Sequence, residues 1–432
     1  MSSPDRTRWL PTRAFSTAIG ILSALLILAV LLRRQDLLII ALPLACSVLF
    51  AIGGRARQAA AVRIVSDNAM LREGQLTRLN LQVSAADELD LVRLETPIEG
   101  WIELTGGGWD HCLAVAADKT VTVSWPLTAL RWGRGSIGPV HVTSTTALGL
   151  LHASSRSENR LSISTAPLQD SFDAIDAIPI AGGIVGGHRS RRPGEGSDLA
   201  GVRQFAMGDR LHRINWPVSA RTGSLHVTTT YSDRDIEMVL VLDPSVDIGI
   251  SGGVHGSAST LDVAVRAAAA IAEHYLRDGD RVGLINLGRS GRPAMSRSGR
   301  GQLFGLMNVL LDLQPGEVAE AGVDRALSSI KDRALIVILT PLLGSDVPAH
   351  AAALARSGRS VLVVDTLPEK VQLPEPQEWT DIAWRMKLLE RSNITQALVE
   401  RGVPVVPWRG PGSLDEVLTG LSRSARAPRV RR

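Results

Sequence analysis

A chain of 432 residues with 47 Lys and Arg against 43 Asp and Glu carries a net charge of only +4. With 45% hydrophobic and 21% charged residues it is not disordered as a whole, and it has room for two or three domains with cores of their own. Its two cysteines, Cys46 and Cys112, exclude a disulfide framework and a thiolate metal cage.

Residues 1–13 are a flank bearing Arg6, Arg8 and Arg13. Residues 14–32, AFSTAIGILSALLILAVLL, then run nineteen residues without a charge. After Arg33-Arg34-Gln35-Asp36, residues 37–54 give eighteen more. Each run approaches the ~20 residues that cross a hydrocarbon core of about 30 Å, and Pro43 is tolerated in a spanning helix. The Arg residues ahead of the first run also suit a signal peptide, but the run is long for one and a second follows at once. Residues 14–54 therefore predict a two-helix transmembrane hairpin. Arg6, Arg8 and Arg13 before it and Arg55, Arg57 and Arg63 after it outnumber Arg33 and Arg34 in the turn, which favours both outer flanks in the cytoplasm.

From 61 to 166 the pattern becomes short alternating runs, such as Leu79-Asn80-Leu81-Gln82-Val83, broken by turn residues. Period-two alternation predicts an antiparallel β-sandwich-like domain, with Trp101, Trp109, Trp125 and Trp132 as core and corner residues. Residues 167–196 read as a flexible linker. Gly182 and Gly187 in GGIVGGHRS have phosphate-loop spacing, but His188-Arg189 stands where Lys-Ser/Thr is required, and Pro193-Gly194 follows instead of a helix. No nucleotide site is predicted there.

Residues 232–422 alternate strand-like runs at 236–242, 282–285, 334–339, 361–364 and 403–406 with helical runs at 261–276, 302–313, 323–330, 348–356 and 381–400. That alternation predicts a Rossmann-like parallel sheet covered on both faces, with its working edge at the strand carboxyl ends. Asp243, Ser245 and Asp247 leave the first strand there and could direct three hard oxygens at one Mg²⁺. Arg423, Arg426, Arg429, Arg431 and Arg432 make 423–432 a basic tail.

The Asp243-Pro244-Ser245-Val246-Asp247 stretch resembles the metal-ion-dependent adhesion site of the von Willebrand factor type A domain, Asp-x-Ser-x-Ser, with Asp247 in place of the last Ser. The resemblance implies a further Asp after the strand Leu335–Leu339, where Thr340-Pro341 stands, and a Thr near Val323, where there is none. The expected site is degenerate, and the reading set against a metal is that Asp243 caps and orients a turn in a domain kept for its shape.

Between the two soluble segments, residues 197–231 supply Arg203, Phe205, Gly208, Asp209, Arg213, Ile214, Asn215, Trp216, Ala220, Arg221, Gly223 and Leu225 at fixed spacing. The stretch resembles the signature of the bacterial family catalogued as domain of unknown function 58, departing at Pro217 where Lys is usual. Arg131–Pro139 and Ala147–Leu150 resemble two further stretches of that family. The resemblance implies a membrane-anchored protein of the bacterial inner membrane with its bulk in the cytoplasm. It also implies a von Willebrand factor type A-like domain and association with a MoxR-type AAA+ ATPase.

From the residues themselves, Gly208-Asp209 reads as a turn and Asn215-Trp216 as a polar handle beside a buried anchor. The expectation is an interdomain or partner-contacting knot held by Asp209, Arg213, Trp216 and Arg221. No nucleophile with a base and an orienting group is implied, so a non-enzymatic adaptor without a cofactor is expected. The alternatives are a binder of nucleic acid or anionic lipid through the Arg-rich segments, with no specific nucleic acid expected, and a Mg²⁺-dependent enzyme built on Asp243, Ser245 and Asp247.

Overall fold

In the computed structural model the described residues are 8–54, 56–105, 110–157, 159–168, 193–206, 211–231, 237–277, 279–288, 294–316, 320–331, 334–344, 346–373, 378–410 and 413. The predicted linker's residues 169–192, Gly208, Asp209, Trp109 and the basic tail lie outside them. The chain divides into two compact units, Met1–Ala166 and Pro167–Arg432.

The first unit opens with strand β1 (Leu10–Pro11) and helices α1 (Arg13–Leu32) and α2 (Asp36–Gly53). Thr12 is the N-cap of α1, its Oγ1 accepting from the Phe15 amide at 3.3 Å. Arg33, in the left-handed region at φ 51°, ends that helix, so the chain reverses within three residues. Both helices are long and apolar enough to cross a membrane, with mean hydropathies of 2.6 and 2.3. Residues 1–13 are not merely a flank: β1 pairs antiparallel with residues Leu151 and His152, and the Thr12 amide donates to the Leu150 carbonyl at 2.9 Å. At the other open end of the hairpin, Ala51 packs with Ala147 and Leu150. Both ends of the hairpin are thus moored to the β-rich segment of the same unit.

That segment contains β2 (Ala61–Ser66), β3 (Met70–Arg72), β4 (Leu76–Ala85), β5 (Leu89–Glu95), β6 (Ile98–Glu99) and β7 (Ile102–Leu104). It continues through β8 (Asp110–Val115), β9 (Lys119–Ala129), β10 (Gly133–Ile137), β11 (His141–Thr146), β12 (Leu151–Arg156) and β13 (Leu161–Ala166). Three sheets form, ordered β1-β12-β11-β5-β8, β3-β13-β10-β6 and β2-β4-β9-β7, antiparallel apart from the β3–β13 pair. On β4 the side chains of Thr77, Leu79, Leu81, Val83 and Ala85 are buried while the residues between them are not, as period-two alternation requires. Each fully buried Leu contributes roughly 1.5–3 kcal/mol. Trp125 and Trp132 are buried as expected; Trp101 is 41% exposed and lies under the Arg131 guanidinium, 5.4 Å from its ring centroid. The same guanidinium lies 5.0 Å from the ring centroid of buried Trp132, so Arg131 bridges the two indoles.

Across β5 and β8, Arg93 makes a bidentate pair with Asp110 at 2.8 and 2.6 Å, and Glu95 adds a second contact at 3.2 Å. The Arg93 hydrogen bonds and charge hold the Asp110 carboxyl below its ordinary value, and Asp110 in turn raises Arg93. Because the folded carboxyl is the more acidic, its stabilising effect is present above the unfolded value and lost as pH falls through the folded one. A pH titration of the Asp110 carboxyl by NMR should show a depressed midpoint that Arg93→Gln returns toward the ordinary carboxylate range.

In the second unit, β14 (Pro193–Gln204) pairs antiparallel with β15 (His226–Tyr231), with bulges between Gly194 and Gly201. The strand begins inside the predicted linker, which therefore does not run to residue 196. The bulges absorb the glycines that made this stretch read as loop. The remaining strands, β16 (Glu237–Leu242), β17 (Arg281–Asn286), β18 (Ala294–Arg297), β19 (Leu335–Thr340), β20 (Ser360–Asp365) and β21 (Val405–Pro407), form one sheet ordered β18-β17-β16-β19-β20-β21. All pair in parallel except the edge strand β18. Helices α3 (Trp216–Thr222), α4 (Thr260–Arg277), α5 (Arg300–Leu311), α6 (Glu320–Ser328), α7 (Val347–Arg356) and α8 (Glu378–Glu400) complete the unit. Strands β16 and β19 are buried almost throughout, the run of apolar residues expected where helices cover both faces.

Candidate functional site

The order of the parallel strands reverses between β16 and β19: from β16 the chain crosses to β17 on one side, and later places β19 on the other. In sheets of this kind the crevice for a ligand lies outside the carboxyl ends of the strands at that reversal. Asp243 follows β16 there and Thr340 ends β19.

Asp243 is 3% exposed and Thr340 fully buried. The Thr340 hydroxyl donates to Asp243 Oδ2 at 2.7 Å and accepts from the Leu342 amide at 3.1 Å. The Ser245 hydroxyl and amide both donate to Asp243 Oδ1, at 2.6 and 3.1 Å. One buried carboxylate thus ties the two central strands across 97 residues of chain. Asp243 and Ser245 are brought together as the sequence suggests. Thr340, where the adhesion motif leads one to look for a second carboxylate, is the partner that the sequence does not single out.

Asp247 has a different place. Its Oδ1 accepts from the Leu261 amide at 3.1 Å and the Thr260 hydroxyl at 3.3 Å, at the amino end of α4. A carboxylate there meets unpaired amides and the positive end of the helix dipole. One step on, Ser259 and Asp262 cap each other reciprocally: the Ser259 amide donates to Asp262 Oδ2, and the Asp262 amide to Ser259 Oγ. At the end of β20, Asp365 pairs with Arg391 of α8, whose Nε donates to the Pro341 carbonyl at 3.0 Å. Among the described residues, no three His, Cys, Asp or Glu side chains gather into a metal-holding group.

The signature segment forms a cap on the β14–β15 ribbon. Asn215 is the N-cap of α3: its Oδ1 accepts from the Val218 amide at 3.2 Å, and its Nδ2 donates to Thr228 Oγ1 at 3.4 Å. Such a cap stabilises by about 1 kcal/mol. Buried Ser219 is the pin, its hydroxyl donating to the Asn215 carbonyl at 2.8 Å and accepting from the His226 amide at 2.9 Å. Gly223 closes the helix at φ 67°, a left-handed position that suits Gly, and its amide donates to the Ser219 carbonyl. Arg221 is exposed in the last turn, where the dipole favours a cation, and Ala220 beside it is exposed too. Arg203 is exposed and donates to the Gln204 carbonyl at 3.0 Å; Arg213 is half-buried in a short turn of helix ahead of α3.

Trp216 is not a buried anchor: it is 66% exposed. It is the first residue of α3, directly after the N-cap Asn215. Leu211 nearby is 71% exposed. What holds this cap is the Asn215–Ser219–His226 set, for which the four-residue spacing from Asn215 to Ser219 was the available signal.

Comparison with known proteins agrees with the signature. Residues 201–378 match the family model described as "Protein of unknown function DUF58". Uncharacterized proteins of Mycobacterium bovis and Mycobacterium tuberculosis are 29% identical over 202 residues, 45% of this chain. The match spans 62% of the length of these relatives. Among solved structures, an Escherichia coli alpha-2-macroglobulin fragment is 19% identical over 25% of this chain and 17% of its own, at a TM-score of 0.22, too low to support any argument. The similarity to that family model is confined to residues 201–378.

Proposed function

We propose that this protein is a non-enzymatic, membrane-anchored adaptor of the bacterial inner membrane. Its carboxyl-terminal unit, of von Willebrand factor type A-like architecture, binds protein partners, a MoxR-type AAA+ ATPase first among them. The observation that carries this reading is how the strand ends at the sheet's reversal are used. Asp243 spends both carboxylate oxygens on Ser245 and Thr340, and Asp247 spends Oδ1 on α4. With a Thr at the end of β19 and Asp247 turned to helix amides, these donors do not fit a Mg²⁺ ion. The parallel sheet with its antiparallel edge strand β18 supports the adhesion-type architecture. A signature segment that offers Leu211 and Trp216 to solvent suits a surface that recognises another protein.

The full chain, extracted in mild detergent, should recover the MoxR-type ATPase of its own organism. Trp216→Ala with Leu211→Ala should weaken that capture at least tenfold, since exposed aromatic anchors carry much of the energy of protein interfaces. The same variant should change stability by no more than about 0.5 kcal/mol, because neither side chain is buried. Failure to recover any AAA+ protein, or capture unchanged in the variant, overturns this reading.

A further inference from the structure

The family match ends at residue 378, the first residue of α8. Along this 23-residue helix Arg391 bonds to the strand ends and Leu398 is buried, with Ile394 packed against the same core. The opposite face is apolar and is not covered by the described residues. Trp379 is 77% exposed, Ile382 46%, Met386 60% and Leu389 67%, and exposed Asn393 and Gln396 continue the line.

The spacings along that line are three, four, three, four and three, the heptad repeat of a two-stranded coiled coil. Trp379, Met386 and Asn393 fall at a; Ile382, Leu389 and Gln396 fall at d. We propose that this face of α8 pairs with α8 of a second copy of the chain, parallel and in register.

Two features choose that occupant. A single Asn at an a position is satisfied by its own counterpart only when two helices run parallel and in register, since antiparallel pairing sets a against d. Arg385 falls at g and Glu390 at the following e, so the same register places each Arg385 against Glu390 of the other helix, twice per dimer. Both side chains are exposed, Glu390 already meeting Lys387 of its own helix at 2.9 Å. A lipid surface would favour a cationic rim, but α8 has four acids (Glu378, Asp381, Glu390, Glu400) against three bases (Arg385, Lys387, Arg391). Three heptads associate weakly by themselves, and confinement of anchored chains to one membrane raises their effective concentration.

The test is thiol cross-linking of the full chain in proteoliposomes, with Cys46→Ser and Cys112→Ser as background. Ile382→Cys places the thiol at a d position, and Asp381→Cys places it outside the seam. Oxidation is expected to give covalent dimer from Ile382→Cys and little from Asp381→Cys. Adding Arg385→Glu to Ile382→Cys should lower association about tenfold, and further adding Glu390→Arg should restore it. All these positions are exposed, so circular dichroism should be unchanged throughout. Equal cross-linking at 381 and 382, or none at 382, overturns the proposal. So does a thiol at 382 that is shielded from a water-soluble maleimide by the bilayer without forming dimer, which would assign the stripe to lipid.

Discussion

Asp243→Ala is expected to lower the stability of the carboxyl-terminal unit by about 3 kcal/mol. The substitution orphans three donors at once: the Ser245 hydroxyl and amide, and the Thr340 hydroxyl. Ser245 is half-buried and regains water in part, whereas Thr340 is sealed from solvent. A buried donor left unsatisfied costs about 1–3 kcal/mol, and more when its lost partner was charged. Asp243→Asn keeps an acceptor for Ser245 and should cost about 1 kcal/mol, while Thr340→Val strands the Leu342 amide and should cost about 2 kcal/mol. The two losses share one bond, so Asp243→Ala with Thr340→Val should fall short of their sum. Hydrogen exchange of the β16 and β19 peptides reads these values locally, where a global melt would mix both units. The same measurement decides the role of the site. A self-satisfied carboxylate predicts the same protection with and without millimolar Mg²⁺. A bound ion would instead add about 2.7 kcal/mol at a hundredfold excess over its dissociation constant, and Asp243→Ala would abolish that gain.

Why Thr340 escaped the sequence reading is plain from its position. It meets Asp243 across 97 residues, and only the parallel pairing of β16 with β19 brings them together. Contacts of that kind leave no local pattern, unlike the alternation of Leu79, Leu81 and Val83 or the unbroken apolar run of Leu335–Leu339, whose periods report burial directly. Elements were missed where tertiary pairing overrode local composition. β18 is a four-residue edge strand with half-exposed alternation, β1 has two residues, and β14 starts in a Gly- and Pro-rich stretch that local propensity assigns to loop. Trp216 shows the converse error. Trp residues are highly buried on average, but Trp216, the first residue of α3 after the N-cap Asn215, is 66% exposed. Asp247 was read for its oxygens alone, whereas the amides at the start of α4 are the nearer claim on them.

The hairpin carries the other large expected effect. Only 6% of the most apolar window of α1 and 11% of that of α2 is buried within the protein, so their side chains have no protein core to enter. At about 0.8 kcal/mol per buried methylene, two such helices left in water would cost far more than a domain's net stability. A bilayer would remove that cost. Both open ends of the hairpin are moored to the β-rich segment, through Thr12 at one end and Ala51 at the other, so in a spanning hairpin the turn at Arg33–Gln35 would be the part that reaches the far side. If the Arg-rich flanks face the cytoplasm, as proposed, an impermeant maleimide applied to intact spheroplasts should label Arg34→Cys and leave the native chain unlabelled. Cys112, exposed on β8, should react only after the membrane is permeabilised, and Cys46, exposed on α2 and in lipid if that helix spans, should stay slow in both conditions. Labelling of Cys112 in intact spheroplasts would invert the orientation. Recovery of the full chain in the soluble fraction without detergent would remove the anchor altogether.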